Sequence, residues 1–268
     1  MSYSQDALGI LARSVSDAAL VLEVAAGHDP LDASSIDVAV PSYSTRLGAG
    51  VEGLQGVRVG FDRSQCAAIA GDEVQAATEA AVALMGDHGA EVVSLDLRRL
   101  AAYDVAATVI TWAEVGGVHA RTFPEQRRHY APATAARLES ALLSHGADHV
   151  NALRFQGKAL REFCRDVLSA ADVILCPTTA GPPASVVEVE EDDRRGVVNR
   201  SLDSLRLNRP FNLLGVPAMS VPMGFDSTGL PMGMQLVSRP WDELTLLRCG
   251  AAYQELTEWH RRKPPEVH

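Results

Sequence analysis

Apolar residues recur along the chain at two different spacings, and the alternation between them predicts an α/β protein. From a helix cap at Ser14 or Ser16 to about Ala26, apolar residues recur at every third or fourth position. They do so again over residues 72–85. This spacing is typical of amphipathic helices. Val57–Phe61 and Ala90–Leu95 are short apolar runs, which favour strands. The order strand, helix, strand predicts a parallel pair joined by a right-handed crossover.

The middle of the chain predicts mostly helices. Helical spacing covers residues 100–123, 134–144 and 148–170. Val173–Cys176 is a short apolar run that stops at Pro177, which indicates a strand. Residues 179–196 hold prolines, glycines and a run of acidic side chains, so we expect an exposed, mobile loop there. A further helix is predicted near 199–207.

The last third of the chain contains its longest apolar stretch. The runs 209–225 and 232–237 flank a turn that is rich in Asp, Ser, Gly and Pro. Such runs predict buried strands joined by a hairpin-like connection. After Arg239 and Pro240 the spacing becomes helical to Trp259, with acidic residues at the start and basic residues at the end, as the helix dipole favours.

Composition narrows the class of protein. The 268 residues, of which 47% are hydrophobic and 22% charged, fit one soluble domain over residues 1–268. A net charge of -10 argues against nucleic acid as a partner, because phosphate binding needs a basic face. We find no signal segment and no apolar run of about 20 residues, so we expect a cytoplasmic protein without a membrane partner. The four widely spaced cysteines form no Cys-x-x-Cys pair, and we expect no metal and no cofactor.

Three segments of the sequence are similar to the amidase signature family. The longest is Phe-Asn-Leu-Leu-Gly-Val-Pro-Ala-Met-Ser-Val-Pro-Met-Gly-Phe, residues 211–225, followed by Gly-Leu-Pro-Met-Gly-Met-Gln-Leu-Val, residues 229–237. Residues 4–19 resemble the family's Ser-x-Asp and Ala-Arg-Ser-Val segments, with Ile10 in place of the usual proline. Residues 171–179 resemble its Pro-Thr strand end. The resemblance implies a mixed β-sheet covered by helices on both faces, present here as an incomplete C-terminal part of the amidase signature fold.

The resemblance also implies a Ser-Ser-Lys mechanism, whose catalytic residues we expect outside this chain. In that mechanism a serine attacks an amide carbonyl, a second serine relays the proton, and a neutral buried lysine accepts it. The two lysines here do not match: Lys158 lies among arginines on a solvated helical face, and Lys263 lies in the basic tail. The serine pair Ser34 and Ser35 lacks flanking glycines and follows the Ala-Arg-Ser-Val helix, whereas the catalytic loop precedes it. We therefore assign no catalytic residue.

Pocket residues are the part of the site that the resemblance implies for this chain. The matching positions are Arg137, Thr178, Thr179, Asn208, Asn212 and Gln235. Each has a structural alternative. Asn212 and Gln235 can equally satisfy buried backbone groups, and Arg137 can be a surface arginine.

The functional hypothesis is the C-terminal part of an amidase, which hydrolyses a carboxylic amide to acid and ammonia or amine and is inactive as this chain alone. One alternative is a non-catalytic pseudoenzyme or docking module that binds a small amide or a separate catalytic half. Within the family, the glutaminase-type subunit of glutamyl/aspartyl-tRNA amidotransferase is a second alternative. The expected partners are a small-molecule amide, a separate N-terminal half, or another copy of the chain.

A first prediction concerns the isolated chain. A sheet that is cut partway leaves an unpaired edge and an uncovered apolar face, so we expect aggregation, dimerisation or poorly cooperative unfolding. Sedimentation velocity and a thermal melt measure these properties. A monomer that unfolds in one sharp transition would contradict the prediction.

Overall fold

The computed structural model describes residues 2–32, 34–48, 50–197 and 205–264, and at its centre lies a five-stranded mixed sheet. The strands are β1 Arg58–Phe61, β2 Glu91–Ser94, β3 Val173–Pro177, β4 Ala218–Phe225 and β5 Pro231–Ser238. Their spatial order is β2-β1-β3-β5-β4. β1 runs parallel to β2 and β3, whereas β5 runs antiparallel to β3 and β4. The direction of pairing therefore changes at β3.

Helices fill most of the chain between the strands. In chain order they are α1 Val15–Ala25, α2 Tyr43–Arg46, α3 Arg63–Ile69, α4 Asp72–Asp87, α5 Leu100–His119, α6 Phe123–Gln126, α7 Pro132–Leu142, α8 Gly146–Asp166, α9 Val186–Arg195, α10 Arg209–Leu214 and α11 Glu243–Leu256. Short 3-10 turns occur at Gly50–Leu54, Arg127–His129 and Trp259–Arg261. In the described part of the chain, no helix combines the length and apolar character needed to cross a bilayer.

The side chains of β3 alternate between two apolar layers. Val173 and Leu175 pack with α1, α4 and α11, whereas Ile174 and Cys176 pack with α5, α8 and α10. A strand that is buried on both faces needs apolar residues throughout, which explains the unbroken run. The predicted mixed sheet with helices on both faces is confirmed.

Several predicted elements also agree with the structure. β1, α4 and β2 form the predicted parallel crossover, because β1 and β2 pair in parallel. The Ser14 side chain caps α1 by accepting a hydrogen bond from the Asp17 N–H. The predicted hairpin is the antiparallel pair of β4 and β5.

The predicted mobile loop at 179–196 is wrong over its second half, where α9 forms. The helix begins with a reciprocal capping box between Ser185 and Glu188 and ends at Gly196, whose φ is 66°. Ser-x-x-Glu followed by a glycine at the C-terminal end is the local signal for this helix. None of the helix's residues is buried, so no apolar face marks it in the sequence.

Two boundaries near the C-terminus differ from the prediction. The run 209–225 does not form one strand, because Arg209–Leu214 is helical and ends at Gly215, whose φ is 62°. The last helix ends at Leu256, so Trp259 lies in a separate 3-10 turn and not on the predicted helical face. Most of the helix predicted near 199–207 lies outside the described residues.

One carboxylate connects the neighbouring strands β1, β3 and β5 at one end of the sheet. Asp172, directly before β3, accepts hydrogen bonds from the Arg58 backbone N–H at 3.0 Å and from Arg58 Nη2 at 2.7 Å. It also accepts one from Arg239 Nη2, just after β5, at 3.0 Å. The Arg58 side chain, more than any other group, holds the pKa of Asp172 below its usual value despite partial burial. This carboxylate therefore ties β1, β3 and β5 together.

We predict that Asp172→Asn lowers the free energy of unfolding by about 2 kcal/mol at neutral pH, because it leaves two arginines without their anion. The native pKa is lowered, so the contribution of Asp172 is present above the unfolded pKa of about 3.9 and is lost as pH falls through the native pKa. Urea unfolding at about pH 7 and about pH 3 measures both effects. The control is Asp96→Asn, which removes an exposed pair with Arg98 and should change little. Equal losses in the two variants would contradict the prediction.

Candidate functional site

Two hydroxyl groups meet where β3 ends beside β5 and β4. The Thr178 N–H donates to the Gly233 carbonyl at 2.8 Å, which extends the β3–β5 pairing beyond Pro177. The Thr178 and Ser220 hydroxyl oxygens lie 2.7 Å apart. A Cβ at Gly233 would lie 3.0 Å from Ser220 Oγ and 3.1 Å from Thr178 Oγ1. Glycine therefore leaves the space that the two hydroxyls occupy.

Gln235 connects this pair of hydroxyls to the segment before α10. It lies opposite Cys176 on β3 and Ser220 on β4, and its side chain is buried. Its Nε2 donates to the Leu207 carbonyl at 3.1 Å. Burial raises the pKa of the neighbouring Cys176 thiol to about 12, so this sulfur stays protonated and is not a nucleophile at neutral pH. Gln235 thus positions backbone, as one of its two sequence interpretations expected.

The loop after β3 completes a circuit of contacts. Thr179 Oγ1 donates to the Gly181 carbonyl at 3.0 Å, and the Gly71 N–H donates to the Ala180 carbonyl at 2.8 Å. Arg206 Nη2 donates to the Ile69 carbonyl at 3.1 Å. These contacts link the end of β3 to the α3–α4 junction, and that junction to the segment before α10. Gln235 links this segment to β5, which pairs with β4, so the contacts form a closed circuit. We call its members the strand-end ring: Ile69–Gly71, Thr178–Gly181, Arg206–Asn208, Ser220, Gly233 and Gln235.

Three of the six predicted pocket residues, Thr178, Thr179 and Gln235, take part in the contacts of the strand-end ring. Asn208 belongs to the ring only as the neighbour of Leu207, directly before α10, and its side chain makes no capping bond. Their contact with a ligand stays a prediction.

The other two predicted pocket residues lie outside the ring. The exposed Asn212, in α10, donates through Nδ2 to the Gln5 carbonyl at 2.9 Å. Arg137 is half-buried on α7, a helix that packs against α5 and α9. The only link of Asn212 to the ring that the described residues show is a backbone bond, in which its N–H donates to the Asn208 carbonyl at 3.4 Å.

The Asn212 side chain is one of several groups that hydrogen-bond to the first residues of the chain. Glu114 of α5 accepts hydrogen bonds from Ser2 Oγ at 2.6 Å and from the Ser4 N–H at 3.1 Å. Burial alone would raise the pKa of Glu114, but these hydrogen bonds outweigh it and the pKa lies below its ordinary value. Sequence reasoning missed Glu114, because its partners lie more than a hundred residues away along the chain.

The serine and lysines that were considered for catalysis lie at the surface. Ser34 Oγ donates to Asp32 Oδ1 at 2.7 Å in an exposed turn. The Lys158 side chain is 64% exposed, with Nζ 3.7 Å from Glu162, and Lys263 is exposed. A lysine base must be neutral, which requires burial that neither of these lysines has. Within the described ranges, no group of three or more His, Cys, Asp or Glu side chains could hold a metal ion.

The strand-end ring lies apart from two clefts of the molecule. A cleft of about 770 Å³ lies between α4, β4 and residues 253–262, and another of about 430 Å³ lies between α5, α7 and α8. None of the six predicted pocket residues lines either cleft. Ser220, a member of the ring, is exposed, and so is Ala218 on the same strand. The ring is therefore exposed to solvent at β4.

Ser220, Gly233 and Arg206 are among the ring residues that sequence reasoning missed. Ser220 stands between Met219 and Val221, and a polar residue within an apolar strand is the local signal that could have identified it. Gly233 could be identified only from the register between β4 and β5, which places it beside Pro222. Arg206 has no local signal, because its position depends on the carbonyl of Ile69.

The sequence matches the family model described as Amidase over residues 1–247. It is 32% identical over 283 residues to a glutamyl-tRNA(Gln) amidotransferase subunit from Roseiflexus sp. (strain RS-1), covering 97% of this chain and 56% of that protein. It is also 32% identical over 265 residues to an amidase of Pseudomonas putida, covering 98% of this chain and 56% of that protein.

Solved structures show the same fold. A chain from a vestigial protein complex, described as revealing the evolutionary origins of an s-triazine catabolic enzyme, superposes with a TM-score of 0.78 at 27% identity. That match covers 95% of this chain and 54% of that one. A glutamyl-tRNA(Gln) amidotransferase subunit from Thermotoga maritima gives a TM-score of 0.76 at 24% identity, covering 94% and 53%. The chain thus spans about half the length of these proteins.

We predict that Gln235→Leu lowers the free energy of unfolding by about 1–3 kcal/mol, because the buried Leu207 carbonyl loses its donor. Ser220→Ala is the control on the neighbouring strand. It removes an exposed hydroxyl and should change stability by less than about 0.5 kcal/mol. Urea unfolding of both variants measures the difference, and similar stabilities for the two would show that Gln235 does not hold the segment before α10.

Proposed function

The chain belongs to the amidase signature family, and on this premise we propose that it is the C-terminal part of an enzyme that hydrolyses a carboxylic amide to an acid and ammonia or an amine. The strand-end ring is the observation that carries the proposal. Three residues that the family resemblance implies for the acyl pocket, Thr178, Thr179 and Gln235, take part in its contacts, and it is exposed at Ser220 of β4. The proposed role of this chain is to form one wall of that pocket.

The paired hydroxyls of the ring suit an amide ligand. Because one of Thr178 and Ser220 donates its proton to the other, the pair keeps one free donor and several acceptor lone pairs. An amide offers a carbonyl acceptor and N–H donors, so this pair can accept and donate to it. The ring lacks a carboxylate, and therefore no acid within it competes with the amide for these groups.

The chemical step in this proposal uses residues outside the chain. A serine attacks the amide carbonyl, a second serine passes the proton to a neutral lysine, and the leaving nitrogen takes a proton as the C–N bond breaks. Water then cleaves the acyl-serine ester and releases the acid. The ring would hold the amide while this sequence occurs on its open side.

Exposed apolar side chains support a second half as the partner. Leu8 and Leu11 are fully exposed, and Leu31 and Val24 are 93% and 87% exposed. Apolar residues this exposed, clustered within a short stretch of sequence, are typical of an interface. In addition, β4 pairs only with β5 among the described strands, so its outer edge is open to another strand.

Two alternatives use the same surfaces. A non-catalytic module would bind an amide or a catalytic half without turnover, and a second copy of the chain could cover the apolar residues. Within the family, the Roseiflexus tRNA amidotransferase protein and the Pseudomonas putida amidase are equally similar to this chain at 32% identity. The proposal is therefore made for the reaction class, amide hydrolysis, and not for one acyl group.

We predict that this chain alone does not hydrolyse amides, and that adding the N-terminal half of a family member restores the activity. The complemented rate should exceed that of either half by at least about a hundredfold, because each half lacks either the nucleophile or the pocket wall. Ammonia release from a panel of simple amides measures this rate.

The controls separate this proposal from its alternatives. Ser34→Ala and Lys158→Met should leave the complemented activity unchanged, because both side chains lie at the surface. If the two halves together are no more active than either half alone, the proposal that this chain supplies the pocket wall for a separate catalytic half is refuted. Hydrolysis by this chain alone that depends on Ser34 or Lys158 would refute it as well.

A further inference from the structure

Arg206 is a half-buried cation with almost no partners. Nη2 donates to the Ile69 carbonyl at 3.1 Å, and this is the only hydrogen bond that the guanidinium makes among the described residues. Nε is buried without a partner. A guanidinium has five N–H donors, so most of its capacity is unused. The unused donors include both hydrogens of Nη1.

Three other partly buried arginines, Arg58, Arg209 and Arg239, are bound differently. Arg58 and Arg239 both donate to the carboxylate of Asp172, at 2.7 and 3.0 Å. Arg209, three residues after Arg206, forms a two-pronged pair with Asp104 at 2.6 and 3.0 Å. Each of these three charges has its anion within the chain. Within the described ranges Arg206 has none, although a partly buried charge without a counter-ion is unfavourable.

Arg206 is also the only charged residue of the strand-end ring. Its backbone neighbour Leu207 accepts the hydrogen bond from Gln235, whose strand partner is Ser220. Its carbonyl partner Ile69 lies two residues from Gly71, which binds the loop after Thr178. The guanidinium is therefore held against the same circuit as the two hydroxyls. Its bond to Ile69 fixes its direction before any ligand arrives, which lowers the entropic cost of binding.

We propose that Arg206 is a specificity-determining residue that binds a carboxylate on the substrate, so that the preferred substrates are amides carrying a second, anionic carboxyl group. The free donors of Nη1 and Nη2 match the two oxygens of a carboxylate, the geometry that arginine recognises best. The substrate amide would lie at Thr178 and Ser220 while its carboxylate lies at Arg206. This inference rests on the proposed amide hydrolysis for its substrate but not for its first test.

The first test measures binding to the chain without catalysis. Succinamate carries one amide and one carboxylate, and in butanamide a methyl group replaces the carboxylate. Ligand-observed NMR titrations should show succinamate binding at least about tenfold more tightly than butanamide. Arg206→Gln should abolish this preference, and Arg206→Lys should retain part of it, because lysine keeps the charge but loses the fork.

The matched control is Arg121→Gln, which removes the same charge from an exposed arginine just after α5. It should leave the preference intact. Thermal melts identify any variant that has lost its fold, and Arg206→Lys then provides the comparison. Equal binding of the two amides, no binding of either, or a preference that survives Arg206→Gln would each overturn the inference.

A second test uses the complemented enzyme. Arg206→Gln should reduce kcat/KM for succinamate by at least about tenfold, mainly through KM, and leave butanamide hydrolysis unchanged. A similar loss for both amides would show a structural role and overturn the inference. Selective binding in the titrations together with no hydrolysis of either amide would leave the role of Arg206 standing and refute the proposed hydrolysis instead.

Discussion

The pairing of β3 with two neighbours of opposite direction is the constraint on which the rest of the structure depends. β3 runs parallel to β1 and antiparallel to β5, and all five of its residues are buried. Asp172 stands directly before this strand and binds arginines from the start of β1 and the end of β5. One partly buried carboxylate thereby fixes the relative register of three strands, since its acceptor atoms must reach both guanidinium groups at once.

The position of the candidate site follows from this arrangement. With the strands fixed at the Asp172 end, the opposite end of β3 emerges between β5, the α3–α4 junction and the segment before α10. Polar groups can collect there because Ser220 of β4 is exposed. Gly233 is also needed there, because a side chain at this position would occupy the space of the two hydroxyls.

The proposed function separates binding from chemistry. Around the strand-end ring the chain holds two paired hydroxyls, the buried amide of Gln235 and, among the described residues, one half-buried cation without a counter-ion. Its lysines, in contrast, lie at the surface. Its apolar residues near the N-terminus and its open edge at β4 face outward. In the proposed function, this surface would restrict which amides can bind and would leave bond cleavage to residues outside the chain.

Local pattern in the sequence determined much of the fold. The helices of eleven or more residues, the parallel crossover and the hairpin follow from apolar spacing, which the backbone geometry of each element imposes within a few residues. The apolar pattern did not predict the exposed α9, because this helix has no buried face. It did not predict α10 either, because this six-residue helix is as apolar as the strand that follows it. The family resemblance supplied Thr178, Thr179 and Gln235, but only the tertiary structure showed that these three take part in one set of contacts. Arg206, Ser220 and Glu114 depend on partners between 42 and 137 residues away. Such partners are brought together by the packing of whole elements, and no spacing along the chain records that packing.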